Sequence, residues 1–305
     1  MANIILVLVC LILGIALKRI KDFPESAPQA FNNFVIYISL PALALIYIPR
    51  IELEASMLYP VLTSWLVLLF ACLIIPLLGR LFQWDRKTVG CLLLTAGFGN
   101  TSFVGFPVIE ALYGREAIQI ALLVDQPGTF VAVTTMGIII ASIYSSGTTR
   151  KRIIFRRVLL FPPFLAFLTA LMLNAAGLQA EGVILSVLES LGATITPLAI
   201  TAVGMQLTVS LKDQRLSPLI YGLGYKLLLA PLIIFLIYVT LTGGSGMEVK
   251  VSIMEAAMAP MVTGSIIAMS YGLNPRLAAL MVGLGVPVSF LTLGGWYLLL
   301  EYVVF

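Results

Sequence analysis

An all-α polytopic membrane protein, with ten transmembrane helices in two inverted five-helix repeats and broken, crossing helices 4 and 9, is the fold class this chain predicts. Three observations lead there: an apolar excess that water cannot support, lysine and arginine confined to alternate loops, and prolines and glycines recurring at a near-constant interval. Of 305 residues, 60% are hydrophobic and 10% are charged, and the mean hydropathy is +1.08. No water-facing fold of this length buries that much apolar surface, so a soluble domain is excluded.

The apolar runs lie near 2–18, 28–48, 57–81, 86–113, 115–144, 158–177, 181–209, 217–241, 247–272 and 275–303. Each is long enough to cross roughly 30 Å of hydrocarbon. Span 1 has no basic residue before it and is followed by Lys18, Arg19 and Lys21, the reverse of a cleavable signal peptide, so it is expected to remain as an anchor. Span 2 carries Pro41 and span 3 closes on Arg80. Spans 4 and 9 are interrupted at their centres, span 5 holds Asp125 and Pro127, span 7 holds Pro197, span 8 holds Lys226 and span 10 holds Pro287. Residues 1–145 form the first repeat, 146–157 a basic cytoplasmic loop, and 158–305 the second repeat. Cys10, Cys72 and Cys91 fall inside spans without metal-ligand spacing and read as small packing residues.

Orientation follows from the loops. With the N-terminus outside, the inner loops hold Lys18, Arg19, Lys21, Arg80, Arg86, Lys87, Arg150, Lys151, Arg152, Arg156, Arg157, Lys212, Arg215 and Arg276, which makes 14. The outer loops hold 3: Arg50, Arg115 and Lys250. Positive charge stays on the cytoplasmic side, so both termini are expected outside. The net charge of +4 therefore reflects topology and does not point to nucleic acid. The run from Arg150 to Arg157 reads as an anchor at the anionic inner leaflet.

The halves answer each other. Pro41 in Ser39-Leu40-Pro41 corresponds to Pro197 in Ile195-Thr196-Pro197, 156 positions on; Tyr113-Gly114 corresponds to Tyr271-Gly272 at 158, and Pro127 to Pro287 at 160. An odd number of spans per half turns the second copy upside down, the inverted repeat of many secondary transporters.

The two interruptions sit in matching places. One is Gly99-Asn100-Thr101-Ser102-Phe103-Val104-Gly105-Phe106-Pro107; the other is Ala259-Pro260-Met261-Val262-Thr263-Gly264-Ser265. A helix broken in hydrocarbon frees N–H and C=O groups that something must satisfy. The half-helices starting near Gly105 and Met261 bring two positive dipole ends to the membrane centre, suited to a carboxylate. The carbonyl ends near Gly99 and Ala259 suit a cation. Asn100, Thr101, Ser102, Gly105 and Pro107 from one break, with Pro260, Met261, Thr263, Gly264 and Ser265 from the other, are the expected substrate-binding residues.

The first interruption, followed by Ala111-Leu112-Tyr113-Gly114, resembles the fourth-helix signature of the auxin efflux carrier family, which includes plant PIN-FORMED auxin exporters and bacterial malate and malonate permeases. The resemblance extends over the ten-span plan, the prolines of spans 2 and 7 and the broken span 9. It implies the fold of the bile acid sodium symporters, with a scaffold of helices 1, 2, 6 and 7 that is often dimeric and a moving core of helices 3–5 and 8–10. The short loop between spans 5 and 6 departs from the long loop of many plant members and favours a prokaryotic carrier in the bacterial inner (plasma) membrane.

Four charges lie within the spans. At 1.5 Å per residue, Asp125 is about 15 Å into span 5, Glu189 about 12 Å into span 7, Lys226 about 13 Å into span 8 and Glu255 about 12 Å into span 9. Each is costly at that depth unless paired or hydrated, so each is a functional candidate. Glu255, five residues before Pro260, binds the coupling cation or proton on one reading and pairs with Lys226 on the other. Asp125, beside Gln126-Pro127-Gly128, either handles the coupling ion or caps a disturbed helix, and Thr129 is grouped with it. Glu189 is assigned a hydrated or interface role, and Glu110 a solvated one near the outer end of span 4. The coupling set is thus Glu255, Asp125, Gln126, Thr129 and Lys226, with sodium or a proton as the ion, sodium near Glu255, and no other cofactor or resident metal.

The chain has no histidine, which leaves proton coupling to carboxylates. No nucleophile with a base and no metal-ligand set suggests an intramembrane enzyme. The expected activity is secondary active transport of a small organic anion, a mono- or dicarboxylate, by elevator-type alternating access. An uncoupled anion uniporter or channel is the alternative. The expected partners are the anion, the lipid bilayer and a second copy of the chain through the scaffold helices, with no nucleic acid. The charge asymmetry predicts that a cysteine at Ser146 is labelled only from the cytoplasmic side and one at Ser245 only from outside. Labelling in the opposite sense in intact cells overturns the orientation.

Overall fold

A computed structural model describes residues 2–20, 22–24, 26–51, 54–145, 162–207 and 216–304. Lys21, the loop 146–157 with its five basic residues and Ser146, Lys212 and Arg215 lie outside the described residues. The described chain is helical, without strands. Its helices are α1 (Ala2–Leu17), α2 (Ala27–Arg50), α3 (Ala55–Leu81), α4a (Arg86–Ala96), α4b (Thr101–Tyr113), α5 (Arg115–Tyr144), α6 (Pro162–Ala175), α7 (Gly182–Gln206), α8 (Leu216–Leu241), α9a (Met247–Ala256), α9b (Val262–Ser270) and α10 (Pro275–Val304). Among the described residues, six of these (α2, α3, α5, α7, α8 and α10) are long and apolar enough to cross a membrane. Large apolar side chains cover their outer faces, with Leu73 60%, Val183 81% and Leu291 79% exposed, so the exterior fits hydrocarbon and the molecule is an integral membrane protein. Cys10 and Cys91 are buried packing residues as expected, whereas Cys72 is exposed on that outer face of α3.

The helices associate in two groups. In one, α1 runs along the second half of α7, and α2 packs on α6 and α7. In the other, α3, α4a, α5, α8, α9a, α9b and α10 pack among themselves, while α4b packs on α1 and α7 and α5 touches α2 and α6, joining the two groups. Between hydrocarbon-soluble helices no hydrophobic force drives association, so close approach has to supply dispersion contact instead. Gly14 of α1 and Gly204 of α7 provide it: a Cβ on Gly204 would lie 2.5 Å from the Leu11 carbonyl oxygen and 3.0 Å from the Gly14 Cα. Ser39 and Thr194, beside the prolines of α2 and α7, hydrogen-bond at 2.7 Å.

Some prolines shape their helices locally, although Pro76 and Pro287 are accommodated in regular α-helix. A helical proline has no N–H, and its ring collides with the carbonyl four residues back. Three turns widen to π-helical form just before such a residue: Val35–Ser39 before Pro41, Thr101–Gly105 before Pro107, and Tyr225–Leu229 before Pro231. Each wide turn ends two residues before its proline. The carbonyl of Leu227, four before Pro231, accepts instead from the Trp296 indole N–H at 3.1 Å. Thr101, Ser102 and Lys226 all stand on these widened turns.

Substituting Gly204→Val forces α1 and α7 apart and destabilises the protein by about 1–3 kcal/mol, the usual cost of overpacking. Thermal unfolding of the purified protein measures it, and an unchanged Tm refutes the close-packing assignment.

Candidate functional site

The break in span 4 arises where Gly97, Gly99 and Asn100 end α4a, and the break in span 9 where Ala257 to Pro260 end α9a. The freed backbone groups satisfy one another. Gly99 and Pro260 form an isolated antiparallel bridge, the Asn100 N–H donates to the Ala259 carbonyl at 2.8 Å, and the Met261 N–H donates to the Thr95 carbonyl at 3.4 Å. Two helices broken in the middle are thus stitched into one crossing.

Each second half then starts at that crossing. Asn100 caps α4b, its Oδ1 accepting from the Phe103 N–H at 3.2 Å, while its Nδ2 is buried without a partner. At α9b the residue before the helix is Met261, which offers no side-chain cap, so the first N–H groups of that helix remain free. A cavity of about 290 Å³ opens here. Asn100, Thr101, Ser102, Asp125, Thr134 and Thr263 line its polar part, with Met261 beside them. Ile36 and Leu40 of α2, with Phe103, Phe130 and Val133, make its apolar wall. It therefore lies between the α2 group and the crossing.

Asp125 is held in the wall of this cavity. Its carboxylate accepts from the Thr101 and Ser102 hydroxyls at 2.5 Å each and from the Gln126 Nε2 at 2.6 Å. The Thr129 hydroxyl does not reach Asp125; it bonds Ser64 at 2.6 Å and ties α5 to α3. Glu255 is buried on α9a with no hydrogen-bond partner at either oxygen. It rests against the backbone of α4b, where a Cβ on Gly105 would come within 2.5 Å of Oε2. No salt bridge joins Glu255 to Lys226 among the described residues. Lys226 Nζ instead donates to the Ala256 carbonyl at 2.6 Å, at the carbonyl end of α9a.

Five of the ten expected substrate residues, Asn100, Thr101, Ser102, Met261 and Thr263, line the cavity. The others support it from behind. Ser265 donates to the Ala278 carbonyl of α10 at 3.0 Å, and Gly264 lets α9b touch the Leu94 carbonyl. Pro107 is buried in the first turn that follows the widened segment of α4b, Pro260 packs on Gly285, and Gly105 faces Glu255. Glu189 is exposed on α7, and Glu110 pairs with Arg115 at 3.3 Å and accepts from Thr196 at 3.3 Å. The apolar wall went unread in the sequence, because Phe103, Phe130 and Val133 look like any other span residue until the fold turns them inward. Ser64, the partner of Thr129, went unread as well, because nothing in the sequence of α3 marks its contact with α5.

At the carbonyl end of α9a, Ala256 accepts from Lys226 and Ala259 from the Asn100 N–H. No group of three metal-ligating side chains occurs among the described residues.

The chain is 26% identical to an uncharacterized transporter of Methanothermobacter thermautotrophicus over 98% of this chain and 97% of that one. It is 25% identical to an uncharacterized transporter of Methanocaldococcus jannaschii over 97% and 98%, and 24% identical to the uncharacterized transporter YfdV of Escherichia coli over 88% of each. The sequence profile described as membrane transport protein matches residues 1–297, nearly the whole chain, and this chain belongs to that family, the auxin efflux carrier family.

Proposed function

We propose that the protein is a proton-coupled secondary transporter of a small organic anion, in which ten spans form two inverted repeats and the crossing of α4 and α9 carries the substrate past α1, α2, α6 and α7 in an elevator-type movement. The observation that carries this reading is the cavity at the crossing, bounded by Ile36 and Leu40 of α2 on one side and by Asn100 and the uncapped start of α9b on the other. A site shared between two helix groups changes access when one group slides on the other. The contact of α4b with α1 and α7 is the surface along which such a movement would slide.

The lining favours one class of anion. Asn100 Nδ2 and the α9b N–H groups offer neutral donors for one carboxylate, and among the described residues no lysine or arginine lines the cavity. Beyond them lie Ile36, Leu40, Phe103, Phe130 and Val133, which suit an apolar body and would strand a second carboxylate without donors. A monocarboxylate with an apolar or aromatic body fits better than a short dicarboxylate.

Asp125 supplies the coupling. Three donors hold its carboxylate in the wall. A second negative charge about 5 Å away raises the energy by about 3 kcal/mol at an effective dielectric near 20. A charge-assisted hydrogen bond to the substrate returns only about 1.5–3 kcal/mol. Repulsion cancels the gain, so the anion enters with a proton that neutralises Asp125. Glu255 and Lys226 lie behind this wall and do not line the cavity.

Removing the donor in Asn100→Ala weakens anion binding by about 1–3 kcal/mol, roughly 5- to 150-fold, while the fold persists. Counterflow of a carboxylate panel in proteoliposomes reads this, and unaltered affinity excludes Asn100 from the site. Because the proton binds with the anion, wild-type affinity falls as pH rises, whereas Asp125→Asn, permanently neutral, binds with a flat pH profile. A variant that keeps the wild-type pH slope removes Asp125 from coupling.

A further inference from the structure

We propose that the Lys226 ammonium is a built-in substitute for a coupling cation, fixed at the carbonyl end of α9a against the break in α4, so that the crossing holds together without sodium. The inference rests on the transporter reading above, but its physical content concerns the crossing alone. A helix broken in an apolar interior ends in carbonyls whose summed dipole is negative, and here that end abuts a second break. A mobile cation is one way to satisfy it. This chain carries the charge on its own side chain: Lys226 is 1% exposed and donates at 2.6 Å to the Ala256 carbonyl.

Three further features make the position a built one. Lys226 stands on the widened turn before Pro231, which aims the side chain from α8 into the crossing. The broken stretch of span 4 makes room for it, since a Cβ on Gly99 would lie 3.1 Å from Nζ and 3.3 Å from the Glu255 carbonyl oxygen. No carboxylate claims the ammonium by a salt bridge among the described residues, so backbone carbonyls and the field of the buried acids are what it serves. Helices α8, α9a and α4a belong to one packed group, and the charge travels with the crossing instead of being released. A tethered cation takes no energy from an ion gradient, which leaves the proton as the coupling ion.

The test uses the purified full chain in detergent and reads thermal stability, which does not depend on whether any anion is carried. Wild type is expected to have the same Tm in sodium chloride and in choline chloride. Lys226→Ala, which opens a space the size of an alkylamine, is expected to lose about 5 °C or more and to regain it saturably with sodium or ethylammonium but not with choline. Lys226→Gln keeps a donor for the Ala256 carbonyl without the charge and is expected to behave like Lys226→Ala, whereas Lys226→Arg keeps a tethered cation and is expected to need no added ion. A wild-type Tm that rises specifically with sodium overturns the proposal. So does a Gln variant as stable as wild type, or an Ala variant that no small cation restores. If neither neutral variant can be purified, the wild-type comparison and Lys226→Arg decide: sodium dependence in either one refutes a tethered substitute.

Discussion

Backbone groups freed inside hydrocarbon must find partners, and the rest of this molecule is arranged around how two broken helices meet that demand. An unsatisfied N–H or C=O at that depth costs several kcal/mol, so neither break is tolerable alone. Together they are. The Asn100 N–H reaches the Ala259 carbonyl and the Met261 N–H reaches the Thr95 carbonyl, and the uncapped start of α9b lies beside the cavity.

Charge is handled by the same logic. Asp125, Lys226 and Glu255 are all buried, yet each is treated differently by its surroundings. Asp125 receives three side-chain donors, Lys226 spends its ammonium on a helix end, and Glu255 lies against the bare backbone at Gly105. Had Lys226 and Glu255 formed a direct pair, both would be locked and the carbonyl end of α9a would need another cation. Placing the ammonium on the backbone separates the structural charge from the carboxylate in the cavity wall.

Proline connects sequence to site most directly. Pro107 and Pro231 each force a widened turn upstream, and those turns carry Thr101, Ser102 and Lys226. Without the extra width a regular helix would rotate these side chains by a fraction of a turn, away from Asp125 and from Ala256. The prolines therefore act at a distance of a few residues, by moving other side chains.

Hydrocarbon as solvent, the helical class and the position of both breaks were legible in the sequence, because they follow from composition, hydropathy and the local chemistry of Gly99 to Pro107 and Ala259 to Ser265. The buried charges were legible too, since an ionisable residue deep in an apolar run stands out. Their partners were not. The sequence left Glu255 open between an ion and Lys226, and only packing of α8 against α9a decided that Lys226 meets a carbonyl instead. It grouped Thr129 with Asp125, but the wide turn at Asp125–Phe130 sends that hydroxyl to Ser64. It could not distinguish Thr263, which lines the cavity, from Ser265, two residues on, which faces α10. Composition and periodicity are properties of one chain segment in its solvent, so a sequence carries them outright. Which face of a segment meets which neighbour depends on contacts between residues far apart in the chain, and those exist only once the helices have packed.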